Sequence, residues 1–492
     1  MKNTKQRFIP AYLASFLILS LSLISCEPET PDDIPCAERT WYQDADNDGL
    51  GNAAATQVAC EQPTGYVSNA DDDNDLCSST IDECGICGGP GAATYYADND
   101  NDGLGDPNNS VQECTQPTGY VSNSDDLNDD LDNSVSAIER VFGGRIDLDN
   151  LLNYSNQAVP NYINEDNTGN NPITDGGATL GRVLFYDVNL SVDNTIACAS
   201  CHQQAAGFSD RSLLSQGLAG VTGRHSMRLI NARFAEEDHF FWDERANTLE
   251  EQTTQPIQDH IEMGFSGQNG DPSIDDLIAK LEALDYYQEL FTFVYGQDEI
   301  TEEKMQMALA QFVRSIQSFD SRYDQGRGQV NNGNANFPNF TAEENAGKRL
   351  FMTPPNQGGA GCAGCHRAPE FDIDPNSRNN GVVGVAGNPG MIDITITRSP
   401  TLRDMVDPNG VLNGALMHDG SLMTLADVID HYNEVNVVQG NNNLDPRLRG
   451  GAGGQGQNLN LTDNEKNSIV AFLETLSGNN VYRDVRWSNP FQ

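Results

Sequence analysis

Two short runs constrain this chain more than anything else in it: Cys198-Ala-Ser-Cys201-His202 and Cys362-Ala-Gly-Cys365-His366, 164 residues apart. C-x-x-C-H is the attachment pattern of c-type haem. Two thiols add to the two vinyl groups of one porphyrin, and the histidine that follows lies under the iron and supplies its proximal nitrogen. A single copy in a reducing compartment also reads as half a zinc site. Two copies in an exported chain read as two covalent haems. The fold must therefore wrap two porphyrins, and each porphyrin substitutes for core that a small domain would otherwise lack.

Export is read from the first 26 residues. Lys2, Lys5 and Arg7 precede an almost uncharged apolar run, Ile9 to Ser25. Its 17 residues are fewer than the roughly 20 of a spanning helix, so it reads as a signal-peptide core over residues 1–25. The run ends Leu23-Ile24-Ser25-Cys26, which resembles a bacterial lipobox, whose cysteine is acylated and becomes the mature first residue. An ordinary secretory signal is the alternative. The expectation is a lipoprotein, facing the periplasm or the cell surface and held by lipid to a bacterial membrane, the outer one by preference.

Charge narrows the partners. The 492 residues carry 72 acidic and 28 basic side chains, a net charge of −44. That balance argues against nucleic acid, whose phosphates require Lys and Arg, and against docking on an anionic membrane surface. Residues 27–135 hold 25 of the acids and one basic residue, Arg39, and they repeat at a spacing of 54. Asp44-Ala-Asp46-Asn-Asp48-Gly49-Leu-Gly51 recurs as Asp98-Asn-Asp100-Asn-Asp102-Gly103-Leu-Gly105, and Gln62 to Asn69 recurs as Gln116 to Asn123. Alternate carboxylates ahead of a glycine put hard oxygens around one point, and the glycine permits the turn that wraps them, which is calcium chemistry. The run resembles the calcium-binding repeats of thrombospondin type 3. A solvated acidic linker that holds no ion is the alternative. Six cysteines lie here, Cys36, Cys60, Cys77, Cys84, Cys87 and Cys114, and their even number predicts three disulfides. Sequence does not choose among the fifteen pairings. The segment reads as a loop-rich spacer.

The rest is helical in pattern. Apolar residues at three-to-four spacing follow a Ser cap from Ser273 to Leu284 and a Thr cap from Thr301 to Ile316. Thr341 to Phe351, just before the second haem motif, and Thr462 to Leu476 repeat the pattern. Gly/Asn-rich stretches at 331–339, 376–390 and 439–460 read as loops. The fold class is mainly α: an N-terminal haem domain over 136–335 and a C-terminal one over 336–492, packed together behind the spacer.

Ordered motifs over about residues 175–480 carry a family resemblance. Leu184-Phe-Tyr-Asp-Val-Asn-Leu-Ser precedes the first haem motif. Phe241-Trp242-Asp243-Glu244-Arg245-Ala246, Leu249-Glu-Glu-Gln252, Pro256-Ile and Ile261-Glu262-Met263 follow it, and Arg398 to Arg403 and Met417-His418-Asp419-Gly420 follow the second. This resembles the bacterial di-haem cytochrome c peroxidases and their MauG-like relatives. The resemblance implies a peroxide site at the N-terminal haem on His202, with Gln252 and Glu262 on its open face, and an electron-entry haem on His366. A carboxylate near iron moves the proton between the peroxide oxygens and an amide orients them, which suits general acid–base work. Standing alone, Glu262 would read as an exposed helix-end acid. Trp242 takes the place of the family's tryptophan between the haems, where it relays an electron; a plain core aromatic is the alternative. Many members cap the oxidised peroxide haem with a loop histidine, and that place falls near Leu218 in this chain. The first haem is therefore expected open, as in the MauG-like branch. His225 stands where relatives carry an asparagine ligand of a bridging calcium, which puts that ion in doubt and leaves His225 a fallback sixth ligand.

The distal ligand of the second haem lies fourteen residues after the His of His-Asp-Gly in standard members, where it is Met. Fourteen from His418 is Tyr432, and the MauG-like branch uses Tyr there. Met417, Met423 and His431 are the other candidates. The function implied is reduction of hydrogen peroxide to water with electrons from a c-type cytochrome or similar carrier. The alternatives are MauG-like oxidation of a partner protein's side chain through a high-valent iron pair, and a non-catalytic electron-transfer lipoprotein. A homodimer stays open.

Overall fold

The computed structural model describes residues 36–73, 77, 81–99, 103–124, 126, 136–450 and 455–492. The apolar N-terminal run, Cys26, Asp100 and Asp102 lie outside them. The chain divides into two compact units, residues 1–129 and 130–492.

The first unit is built twice. Strand β1 (Arg39–Gln43) pairs antiparallel with β2 (Asn52–Ala59) and β3 (Tyr66–Val67), and β4 (Ala93–Ala97) pairs in the same order with β5 (Ser110–Glu113) and β6 (Tyr120–Val121). The repeated sequence explains why. Asn69 accepts from the Gly51 N–H at 3.1 Å and donates to the Gly49 carbonyl at 2.8 Å. Asn123 does the same with Gly105 and Gly103, at 3.1 and 2.8 Å. Gly51 and Gly105 are fixed by space: a Cβ would strike Tyr42 and the Asn69 carbonyl, or Tyr96 and the Asn123 carbonyl. All six cysteines are paired, Cys36–Cys60, Cys77–Cys87 and Cys84–Cys114. Cys84 and Cys87 each bond elsewhere, not to one another. The segment is thus two small disulfide-tied sheets rather than loop alone.

The second unit is helical: α1 (Ala137–Phe142), α2 (Asp175–Tyr186), α3 (Cys198–Cys201), α4 (Leu249–Thr254), α5 (Ile274–Glu282), α6 (Asp285–Tyr295), α7 (Glu302–Ser315), α8 (Arg322–Arg327), α9 (Ala342–Met352), α10 (Leu425–Asn433) and α11 (Asp463–Glu474). One two-stranded ribbon, β7 (His366–Arg367) and β8 (Asp372–Ile373), follows the second haem motif. The expected starts are real caps. Thr341 Oγ1 accepts from the Glu344 N–H at 3.1 Å while Glu344 accepts from the Thr341 N–H at 2.7 Å. Ser273 with Asp276 and Thr462 with Glu465 close the same reciprocal pair on α5 and α11, each cap contributing about 1 kcal/mol.

Two cores form. In the first, α2 lies on α7 and buries Leu180, Val183, Leu184 and Phe185 against Ala308, Leu309 and Phe312. Each of these Leu, Val and Phe side chains contributes about 1.5–3 kcal/mol. In the second, α9 lies on α11 and buries Phe351 against Ile469 and Phe472. The crossings match: a Cβ on Gly181 would strike the Ala308 carbonyl, and one on Gly347 would strike the Ser468 carbonyl. The cores exchange segments across residues 335/336. Tyr323 packs in the second, its ring 5.2 Å from Phe337, because Arg403 holds Asp324 in a fully buried ion pair at 3.0 Å. Val481 and Trp487 return to the first, where Tyr154 and Arg182 donate to the carbonyls of Arg486 and Ser488 at 2.7 and 2.6 Å. Among the described residues no helix is long and apolar enough to cross a membrane.

Candidate active site

Among the described residues four cysteines lie outside the disulfides, Cys198, Cys201, Cys362 and Cys365, and they line two largely apolar cavities. The first, of about 680 Å³, adjoins Cys198, Cys201 and His202; the second, of about 560 Å³, adjoins Cys362, Cys365 and His366. Both fit a haem in size and in donors. One turn of α3 sets the first pair of thiols, pinned by the His202 N–H on the Cys198 carbonyl at 2.9 Å. Burial pushes the thiols of Cys198 and Cys362 up to about 12. It pushes both His202 and His366 down to about 4, which keeps the imidazoles neutral, as a metal ligand requires. His202 Nδ1 lies 3.3 Å from the Phe208 carbonyl, a contact that keeps the proton there and leaves Nε2 for iron. His366 Nδ1 is buried without a hydrogen-bond partner.

Gln252, on α4, and Glu262 both line the first cavity. Glu262 is placed by a tight turn. Asp259 accepts from the Glu262 N–H at 3.1 Å, and its carbonyl accepts from Gly264 at 2.8 Å. Gly264 takes a φ of +89° and leaves no room for a Cβ beside Leu218. Burial first, then the charge of Asp259, raises the Glu262 carboxyl to about 7, with Arg245 opposing. Leu218 does not line the cavity: its N–H donates to the Glu262 carbonyl at 3.0 Å and its side chain packs on the turn.

Trp242 and His225 border both cavities. Trp242 Nε1 donates to the His225 carbonyl at 2.7 Å, and the Trp242 carbonyl accepts from Thr397 and Arg398 at 3.0 and 3.1 Å. The His225 ring is committed elsewhere, Nδ1 to the Leu213 carbonyl at 3.1 Å and Nε2 to Ser209 Oγ at 3.3 Å. It offers no spare nitrogen to iron in this arrangement. His239 and His260 are exposed and pair with acids, His239 with the buried Glu237 at 3.0 Å and His260 with Asp271 at 2.7 Å.

In the second cavity Tyr432, at the end of α10, and Met417 are both lining residues. Burial raises the Tyr432 phenol well above its ordinary value. His431 Nε2 bonds the Asn380 carbonyl at 3.0 Å and Met423 is 66% exposed, and neither lines the cavity. Sequence reading gave no role to four cavity cations. Arg228 and Arg398 line both cavities, and Arg224 and Arg245 line the first. Arg245 pairs with Asp243 at 2.9 Å, Asp243 with Arg224 at 2.7 Å, and Arg224 with Asp393 at 2.7 Å. Arg245 and Arg398 belong to the family-like motifs, whereas Arg224 and Arg228 carry no local signal.

In the spacer, Asp44, Asp46 and Asp48 each offer an oxygen within 4.8 Å of the others, and Gly49 makes the turn at φ +90°. Desolvation first, then the charges of Asp48, Asp72 and Asp44, raise the Asp46 carboxyl. Asp98 is met by the Gly103 N–H at 3.2 Å, the counterpart of Gly49 on Asp44 at 3.1 Å.

Comparisons with known proteins agree with this architecture. The family model for di-haem cytochrome c peroxidase matches residues 175–331. The methylamine utilization protein MauG of Methylorubrum extorquens is 30% identical over 62% of this chain and 79% of its own. Cytochrome c551 peroxidase of Nitrosomonas europaea is 28% identical over 61% and 80%. A crystal structure of a MauG-like protein associated with microbial copper homeostasis is 27% identical and superposes with a TM-score of 0.55, covering 68% of this chain and 99% of that one. With both attachment motifs in haem-sized cavities, the chain belongs to the di-haem cytochrome c peroxidase and MauG family, and that membership implies two c-type haems.

Proposed function

We propose that the protein reduces hydrogen peroxide to water at the N-terminal haem, drawing electrons through the C-terminal haem from a small c-type cytochrome or similar carrier. The observation that carries this reading is the inequality of the two cavities. The first offers Glu262 and Gln252, and the second offers Tyr432 and Met417, with its acid Asp445 already paired to Arg447 at 2.8 Å. Haem iron, when bound, supplies the redox chemistry.

The chain's own residues do the rest. His202 would hold the first iron through Nε2, its ring oriented by the Phe208 carbonyl. Glu262, with a carboxyl near 7, takes the proton from the near peroxide oxygen and returns it to the departing one. Gln252 orients the peroxide through its amide. Trp242, on the wall common to both cavities, carries the electron between them. Leu218, packed on the Glu262 turn, leaves the first site open without an activating movement. Calcium bound at Asp44, Asp46 and Asp48, and at Asp98, Asp100 and Asp102 in the second repeat, would stiffen a spacer that lifts the enzyme off a lipid anchor at Cys26.

A second reading, oxidation of a partner protein's side chain, is favoured by Tyr432 where peroxidases carry Met. Steady-state peroxide turnover with reduced cytochrome c separates the two. Rapid turnover supports the peroxidase. A long-lived oxidised species that decays with little turnover supports the partner oxidase.

A further inference from the structure

The second cavity holds two metal-binding side chains where one suffices, and a single amide joins them. Asn380 Nδ2 lies 3.1 Å from the Tyr432 hydroxyl and 3.3 Å from Met417 Sδ. The oxygen and the sulfur therefore stand no further apart than those two distances together, on the lining of the cavity that Cys362, Cys365 and His366 also line.

The amide is not free to turn. Asn380 Oδ1 accepts from the Val382 N–H at 3.0 Å, which fixes the donor end toward Tyr432 and Met417. The backbone is anchored too: His431 Nε2 holds the Asn380 carbonyl at 3.0 Å. The neighbouring Asn379, wholly buried, accepts from the Gly381 N–H at 2.8 Å and from Asn441 Nδ2 at 2.8 Å. Met417 reaches this place from a left-handed backbone, φ +66°, which a non-glycine residue adopts only where its surroundings impose it.

We propose that Asn380 is a positioning residue for a two-ligand site. With Tyr432 oxygen as the sixth ligand of the oxidised C-terminal iron, as the family resemblance implies, Met417 sulfur is a reserve ligand that takes the position when the oxygen is withdrawn. The inference rests on the reading that this cavity holds a haem. The soft thioether and the hard oxygen suit different iron states, so the pair broadens the range over which the second iron stays six-coordinate.

The test uses full-length protein carrying its haems, with haem counted by the pyridine haemochrome method. The oxidised wild type, Tyr432→Phe, Met417→Leu, the Tyr432→Phe/Met417→Leu double variant and Asn380→Leu are compared by EPR and near-infrared magnetic circular dichroism. Tyr432→Phe is expected to stay low-spin at the second iron and to gain the charge-transfer band of a thioether-ligated ferric haem. The double variant is expected to lose that band and turn high-spin. Met417→Leu alone should keep the wild-type spectrum, and Asn380→Leu should give a mixture of the two ligand sets. If Tyr432→Phe turns high-spin while two haems are retained, or if its low-spin signal survives in the double variant, the inference is overturned and the function proposal is untouched. Fewer than two haems in the wild type would overturn both.

Discussion

Glu262 owes its chemistry to the turn that carries it. Asp259 holds its N–H, Leu218 holds its carbonyl, and Gly264 lets the chain bend back. The carboxyl is left on a desolvating wall that lifts it from 4.5 to about 7. Replacing it with Gln keeps shape and removes the exchangeable proton, so peroxide turnover should fall by roughly 10²–10⁴-fold with both haems retained. An undiminished rate would contradict the assignment. The same group marks stability. Its folded value lies above its unfolded one, so the stability linked to it is fully present below pH 4.5 and is lost as the pH rises through about 7. Thermal midpoints across that window should fall less steeply for Glu262→Gln than for the wild type. Asn380 is the contrasting case. It lies 52 residues from Tyr432 in a Gly/Asn-rich stretch, and only the folded chain joins the two.

At the scale of elements, the helices with a side-chain cap were legible. Ser273, Thr301, Thr341 and Thr462 start helices in the structure as their spacing predicts. The spacer's strands were not, because runs of two to eight residues held by Asn69, Asn123 and three disulfides have too little alternation to show. An echo between the domains also escaped reading. Gly181-Arg-Val-Leu-Phe185 precedes the first haem motif as Gly347-Lys-Arg-Leu-Phe351 precedes the second. Its glycine is the contact point of each helix pair, α2 on α7 and α9 on α11. Gly347→Ala should therefore destabilise the protein by about 1–3 kcal/mol, since the obstacle is the Ser468 backbone and cannot swing away. Gly144→Ala, where no atom lies within 4 Å of the added carbon, is the control for helix-unrelated effects. Equal thermal midpoints for the two variants would contradict the crossing argument.

Across the whole molecule, the chain's plan follows from what each part lacks. The acidic unit has few buried apolar side chains and is closed by Cys36–Cys60, Cys77–Cys87 and Cys84–Cys114. The helical unit spends its apolar residues on two cores, each wrapped around a cavity that a porphyrin fits. The attachment residues were readable because two thiols and a histidine must be adjacent in sequence to reach one haem. The wall between the cavities was only partly readable. Trp242 came from a motif, whereas Arg228 and Arg398 meet there from loops 170 residues apart. The account stands on the inequality of the two irons, and EPR of the fully oxidised protein reads it directly. One high-spin ferric signal from the iron on His202 and one low-spin signal from the iron on His366 are expected, in equal amounts. Two low-spin ferric signals in the fully oxidised protein would contradict it.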